Sequence, residues 1–264
     1  MKKFRTIIMI TTLIITAFGC EELPDPAGTR GLGVVPVVSE PNPGIYINGS
    51  ASSYISFEVD YLSGTSADKT EVVVSHGKNF ERVKLEELTT FPATITYTLG
   101  EAVDAIGIPL SSVLAGDVIY FEVVTTVDGV ITRSNAAQAI PVVCNYDPAL
   151  AAGNYHAVSA DWQVDGAVTI TVDPVDQYKV YVAGLSELDG LTEDLGPLVM
   201  HISPATLKVT ADRTVLASDA FGYHNFAYEG SGTFNSCNGK YTMSFIISVD
   251  EGSWGANAFT LTRQ

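Results

Sequence analysis

What most limits the fold of this chain is a two-residue rhythm of apolar and polar side chains, repeated from residue 55 almost to the end. "ISFEVDY" sets Ile55, Phe57, Val59 and Tyr61 on one face and Ser56, Glu58 and Asp60 on the other. Successive side chains of a strand point to opposite faces, so this is the rhythm of a half-buried strand. "TEVVVSH" and "ATITYTL" repeat it, and "DVIYFEVVTTV" is long and mostly apolar, as a central strand is. That last run meets Asp128-Gly129, a two-residue hairpin signal, because both residues tolerate the backbone such a turn needs. "EAVDAIGI" is the one helical turn expected in this half. Six or seven short strands in about a hundred residues predict an immunoglobulin-like β-sandwich over residues 35–143.

A boundary follows in "AIPVVCNYDPALAAGNY", where a strand ends at Val143 and Pro148 and Gly153 interrupt regular structure. A second β series fills residues 144–264, from "GNYHAVSADW" through "AVTITVDP", "QYKVYVAGL", "LVMHISPATLKVTA" and "HNFAYEGSGTF" to "KYTMSFIISVDEGSWGANAFTLTR". Asp165-Gly166, Asp173-Pro174, Asp189-Gly190, Asn238-Gly239 and Glu251-Gly252 are its expected turns. About eight consecutive strands with short turns fit an antiparallel meander, either a calycin-like barrel or a folded sandwich. Closure as a barrel would remove the open edges that invite aggregation. The expected fold class is therefore all-β, in two domains.

The formal charge is −16. Such a chain repels phosphate backbones, which excludes nucleic acid as a partner.

The chain opens with Lys2, Lys3 and Arg5, then the apolar "TIIMITTLIITA". That run is short of the roughly 20 residues a membrane-spanning helix needs, and has the length of a signal-peptide core. It ends "AFGC", which resembles a bacterial lipobox, with Phe18 where a smaller residue is commoner. The resemblance implies that residues 1–19 are removed and that Cys20 carries diacylglycerol and an acyl chain, anchoring the protein to a membrane. Each buried CH₂ of such chains contributes about 0.8 kcal/mol. Residues 20–34 then read as a solvated tether, because acids, prolines and glycines resist regular structure. Glu21, Glu22 and Asp25 resemble the surface-export signal of Bacteroidetes lipoproteins, which places the expected location at the cell surface. Loss of the three cations in residues 1–19 takes the formal charge from −16 to −19. Outside the cytosol, the remaining pair Cys144 and Cys237 suggests a disulfide, closing a loop of roughly ninety residues worth about 4–5 kcal/mol. Two buried free thiols or a metal pair are the alternatives, although no histidine stands at ligand spacing from either cysteine.

"CNYDPALAAGNYHAVSADW" and "YEGSGTFNSCNGKYTMSFIISVDEGSWGANAFTLTR" resemble a C-terminal β domain of small Bacteroidetes outer-membrane lipoproteins. "GDVIYFEVVTTVDGVITRSNAAQAIPV" resembles the ends of Ig-like domains in lipoproteins of starch-utilisation-type (Sus-type, SusE-like) loci. The resemblance implies an accessory surface lipoprotein beside a TonB-dependent importer and its SusD-type partner. It carries over Cys20 as the lipid site and Cys144 with Cys237 as a pair, and no ligand residue.

No catalytic constellation emerges. His76, His156, His201 and His224 stand in no nucleophile–base frame, and "GSGTF" is expected to be a loop entering a strand. A glycosidase needs two carboxylates about 5–10 Å apart, which thirty acids cannot fail to provide somewhere, so composition does not test it. Calcium takes oxygens from acidic loops, and Asp173 with Asp176, or Glu187, Asp189, Glu193 and Asp194, are the stretches to consider. Neither has an alternating carboxylate ladder, and "SELDGLTEDLG" is expected to be an exposed loop. No cofactor, metal or enzymatic activity is expected. Carbohydrate binding is the positive expectation, because sugar CH faces stack on aromatic rings. Trp254, Tyr223 and Trp162 are its candidate residues, with Phe221, Phe226 and Tyr228 nearby in sequence. Alternatively, Gly153-Asn154-Tyr155 and Arg263 are loosely similar to a lipocalin's first-strand motif and terminal arginine. An eight-stranded barrel of that kind holds one small apolar ligand. A third possibility is a purely structural subunit that braces an importer.

Overall fold

The chain is all-β, as its alternation predicts. A computed structural model describes residues 33–77, 79–133 and 137–264. The expected signal segment, Cys20 and the expected tether up to residue 32 lie outside the described residues.

The first half forms two facing sheets. One orders β1 (Val37–Val38), β3 (Tyr54–Asp60) and β6 (Ala93–Thr98). The other runs β2 (Tyr46–Ile47), β9 (Gln138–Val143), β7 (Val118–Val127), β4 (Lys69–His76), β5 (Asn79–Leu88), with β8 (Val130–Arg133) also on β7. Ile55, Phe57 and Val59 of the smaller sheet and Val72, Val74, Phe121 and Val123 of the larger share one core. The alternation of "ISFEVDY" is what delivers that face. The Asp128-Gly129 hairpin forms, both residues taking positive φ, 49° and 78°. Helix α1 (Leu99–Ile106) bridges the sheets and buries Leu99, Ala102 and Val103. A capping box starts it: the Thr98 hydroxyl accepts from Glu101 N–H while the Glu101 carboxylate accepts from Thr98 N–H. Gly107, at φ 77°, ends it in the left-handed region.

The second half closes. Strands β10 (Gly153–Ser159), β11 (Val164–Val172), β12 (Lys179–Ala183), β13 (Leu198–Ile202), β14 (Lys208–Ala220), β15 (Tyr223–Asn235), β16 (Lys240–Val249) and β17 (Gly252–Arg263) form one barrel in chain order. Every pairing is antiparallel, and β17 returns to β10, with Tyr155 opposite Arg263 and Val158 opposite Thr260. Along β16, Tyr241, Met243, Phe245, Ile247 and Val249 point inward, while Thr242, Ser244 and Ile246 face water. Together with Tyr155, Tyr228, Phe259, Met200 and Leu261 they fill the interior. Each such side chain contributes about 1.5–3 kcal/mol by leaving water. The barrel interior is thus packed by its own side chains.

Two local expectations are corrected. Asp165-Gly166 is not a turn but part of β11, opposite Val158 and Ala157. Gln163, at φ 58°, takes the turn's left-handed position instead. "GSGTF" is not a loop but the later part of β15. A Cβ on Gly230 or Gly232 would stand 2.1 Å from the carbonyl oxygen of Ser244 or Thr242 on β16. These glycines permit a close strand approach.

An antiparallel meander sends alternate connections to opposite ends. Residues 144–152, 173–178, 203–207 and 236–239 fall at one end, and 160–163, 184–197, 221–222 and 250–251 at the other. The sandwich joins the first end. Gly44 N–H donates to Ala205 O at 3.0 Å, Ile45 packs in the barrel's core cluster, and exposed Lys208 meets Glu40 at 3.0 Å. Cys144 and Cys237 are bonded across this joint, with Cα atoms 5.0 Å apart. The Ser236 hydroxyl donates to Cys144 O at 2.7 Å beside the bond. The joint end is stoppered by the short helix α2 (Pro148–Ala151), capped by Asp147. The Tyr155 and Tyr241 hydroxyls donate to Leu150 O and Ala151 O from inside the barrel. The opposite end bears the candidate site.

Candidate functional site

Trp162, Tyr223 and Trp254, far apart in sequence, meet at the free end of the barrel. Trp162 lies in the turn after β10, Tyr223 opens β15, and Trp254 lies near the start of β17. With Asp189, Leu191, Ala220, Phe221 and Phe226 they line a cavity of about 240 Å³. Trp254 is the hub. Its ring centroid lies 5.7 Å from that of Trp162, 6.0 Å from Tyr223 and 6.1 Å from Phe226, at interplanar angles of 60°, 89° and 57°. Trp254 and Tyr223 remain 45% and 48% exposed, and Phe221 on the rim is 78% exposed, whereas Phe226 is buried. Edge-to-face contacts of this kind each stabilise by about 0.5–1.5 kcal/mol beyond area burial. The cluster therefore holds its shape while presenting ring surface to solvent.

Asp189 is the ionisable carboxylate in this wall. It is carried by a 3₁₀ turn, Ser186–Asp189, that Gly190 ends at φ 76°. One carboxylate oxygen accepts from Trp162 Nε1–H at 2.7 Å, the other from the Tyr228 hydroxyl at 3.1 Å. Burial pushes the carboxyl above its ordinary range, and the two hydrogen bonds pull part of that rise back. Asp189 also sets the Trp162 ring through its indole N–H. The expected exposed loop is thus partly folded in. Glu193 of the same stretch caps Gly184 N–H and Ser186, and Asp194 accepts from Ser218. Asp173, the other calcium candidate, accepts from the Tyr181 hydroxyl, Val175 N–H and Asp176 N–H, which lower its pKa to about 2. Among the described residues, no group of three or more His, Cys, Asp or Glu side chains converges as a metal site.

Of the other lining residues, Phe221 and Phe226 stood in the sequence only as rings near Tyr223, Asp189 only as a possible calcium ligand, and Leu191 not at all. The signal for Asp189 was topological: in a closed meander the 184–197 connection must share an end with 160–163 and 221–222.

Two neighbouring turns at the mouth are tied by charge. His224 Nδ1 lies 2.5 Å from Glu251 Oε1, and His224 N–H donates to Glu251 Oε2 at 3.0 Å. Hydrogen bonding to Glu251 raises the His224 pKa, and the His224 backbone and ring bonds lower that of Glu251. The histidine's contribution is therefore complete below its ordinary value of about 6.5 and fades as pH rises through the raised value. The glutamate's is present above its ordinary range and fades in acid. An NMR titration of the His224 ring should show a midpoint above 6.5, and Glu251→Gln should lower it, Asp219 and Asp250 still holding part of the rise. An unshifted midpoint in the wild type would remove the tie.

Chemically, the mouth offers ring faces, one carboxylate and no nucleophile–base pair among its lining residues. It is arranged to hold a small group, with Tyr223 and Trp254 accessible from outside. No protein-family model matches this chain, and no curated protein matches it.

Proposed function

We propose that this protein is a non-catalytic binding lipoprotein of the outer-membrane surface, which captures a nutrient, of glycan type, beside a Sus-type importer. Cys20 supplies the lipid anchor in this reading. The immunoglobulin-like first domain is the spacer, and the barrel mouth is the contact surface. One observation carries it: Trp162, Tyr223 and Trp254 converge around a solvent-open cavity at the barrel end opposite the joint. Core aromatics would be buried, as Tyr228 and Phe245 are, whereas Tyr223 and Trp254 keep about half their surface in water. Exposed rings of that size are costly to leave uncovered and mark contact surfaces.

Calorimetry and affinity electrophoresis against a broad glycan panel test the reading. A binding glycan is expected, with affinity falling about ten-fold or more in Trp254→Ala, as for a truncated aromatic anchor. No binding by intact protein, with uptake unchanged in a deletion strain, would reject it in favour of a bracing subunit.

A further inference from the structure

We infer that the mouth cavity recognises an organic ammonium group, set against Asp189 and enclosed by Trp162, Tyr223 and Trp254. This rests on the proposed ligand-binding role of the mouth and specifies the chemistry of what enters it.

The first observation is charge. Asp189 is the single charged side chain among the cavity's lining residues, with no lysine, arginine or histidine there. Its two hydrogen bonds come from neutral donors, and no cation pairs with it among the described residues. A carboxylate oxygen has two acceptor sites, so each keeps one free after those bonds. A partly buried carboxylate held only by neutral donors gains from an arriving cation. The chain's formal charge of −16 also raises the local concentration of cations.

The second observation is ring geometry. A sugar face stacks best on one flat platform, but here the rings are inclined at 57–89° to Trp254. Inclined rings wall a cavity on several sides. Faces within about 6 Å of a cation attract it through the ring quadrupole, and tryptophan does so best.

The third is size. At about 240 Å³ the cavity is smaller than the ~300 Å³ at which drug-sized pockets begin. It admits one compact head group. The polar capacity of the wall is equally small: its one carboxylate suits a single methylated or primary ammonium, and any hydroxyls of the same molecule stay outside the cavity. The ammonium belongs either to a free alkylammonium compound or to an amino sugar with an unacetylated amine.

Trp162 and Trp254 are the only tryptophans of the chain, and both line the cavity, so intrinsic fluorescence of the full-length protein reports occupancy directly. Choline should be titrated against its neutral isostere 3,3-dimethylbutan-1-ol, and glucosamine against glucose. The cationic member of a pair is expected to bind about ten-fold or more tightly than its neutral partner. Tighter binding of choline than glucosamine assigns a free alkylammonium, and the reverse an amino sugar. Asp189→Asn and Trp254→Ala are each expected to weaken the cation about ten-fold. The wild-type comparison stands even where Asp189→Asn fails to fold. Equal binding of the cationic and neutral members in both pairs would overturn the inference. So would a neutral glycan that binds in a Trp254-dependent manner while both ammonium ligands fail, and glycan capture would then survive. Failure of every ligand would overturn both.

Discussion

Replacing Cys144 and Cys237 together by serine should lower the unfolding free energy by about 4–5 kcal/mol, on the loop-closure account of a cross-link spanning about ninety residues. The bond joins residues 93 apart in sequence. It fastens the segment leaving the sandwich to the β15–β16 turn, so without it the unfolded chain regains most of the freedom of the whole barrel. The native joint keeps its hydrogen bonds from Ser236 to Cys144 O and from Gly44 to Ala205 O, which argues for destabilisation without rearrangement. Urea unfolding of the oxidised wild type and the double variant would measure it. A lower midpoint is expected, and a loss below about 1 kcal/mol would mean that the unfolded state is already compact there.

Phe245→Ala should cost about 3–5 kcal/mol, the range for truncating a fully buried phenylalanine. Phe245 has no solvent exposure, and its ring meets Phe259 at 5.3 Å and Tyr228 at 5.6 Å. Strands on both sides hold the barrel wall in place, so the space left cannot collapse. Ile246, the next residue, faces outward and is 37% exposed. Ile246→Ala should cost about 1 kcal/mol or less. The contrast between neighbours tests the inward–outward parity of β16. Similar losses at both positions, read from the same unfolding curves, would contradict the register Phe245–Asn257.

How far the fold could be read in advance depended on the kind of signal. The rhythm of "KYTMSFIISV" fixes which face is apolar, and eight such segments with short turns leave few ways to cover all edges. That much is local and survives in one dimension. "SADWQVDG" shows the limit: Asp165-Gly166 has the stronger turn composition, yet pairing with Val158 and Ala157 draws it into β11 and moves the turn to Gln163. Long-range pairing outweighs a propensity of a kcal/mol or so. At the site, Trp162, Tyr223 and Trp254 were visible as large rings close to turns. Asp189 was not, because "SELDGLTEDLG" has the composition of a solvated loop. Its burial arises only when closure brings Trp162 and Tyr228 over it. Phe226 stood out only as one more ring near Tyr223, since a strand aromatic looks alike whether it ends in the core or beneath the mouth.

The even number of strands in the closed meander has a further consequence. With eight strands the chain enters at Gly153 and leaves at Arg263 on the same end, where the Arg263 guanidinium donates to Ala152 O. Everything that must remain constant for the two domains to stay joined is therefore gathered on one rim. The loops 160–163, 184–197, 221–222 and 250–251 on the other rim are released from that duty. They can lengthen or exchange side chains without disturbing the joint, so the same frame can present a different outward face with its joint unchanged.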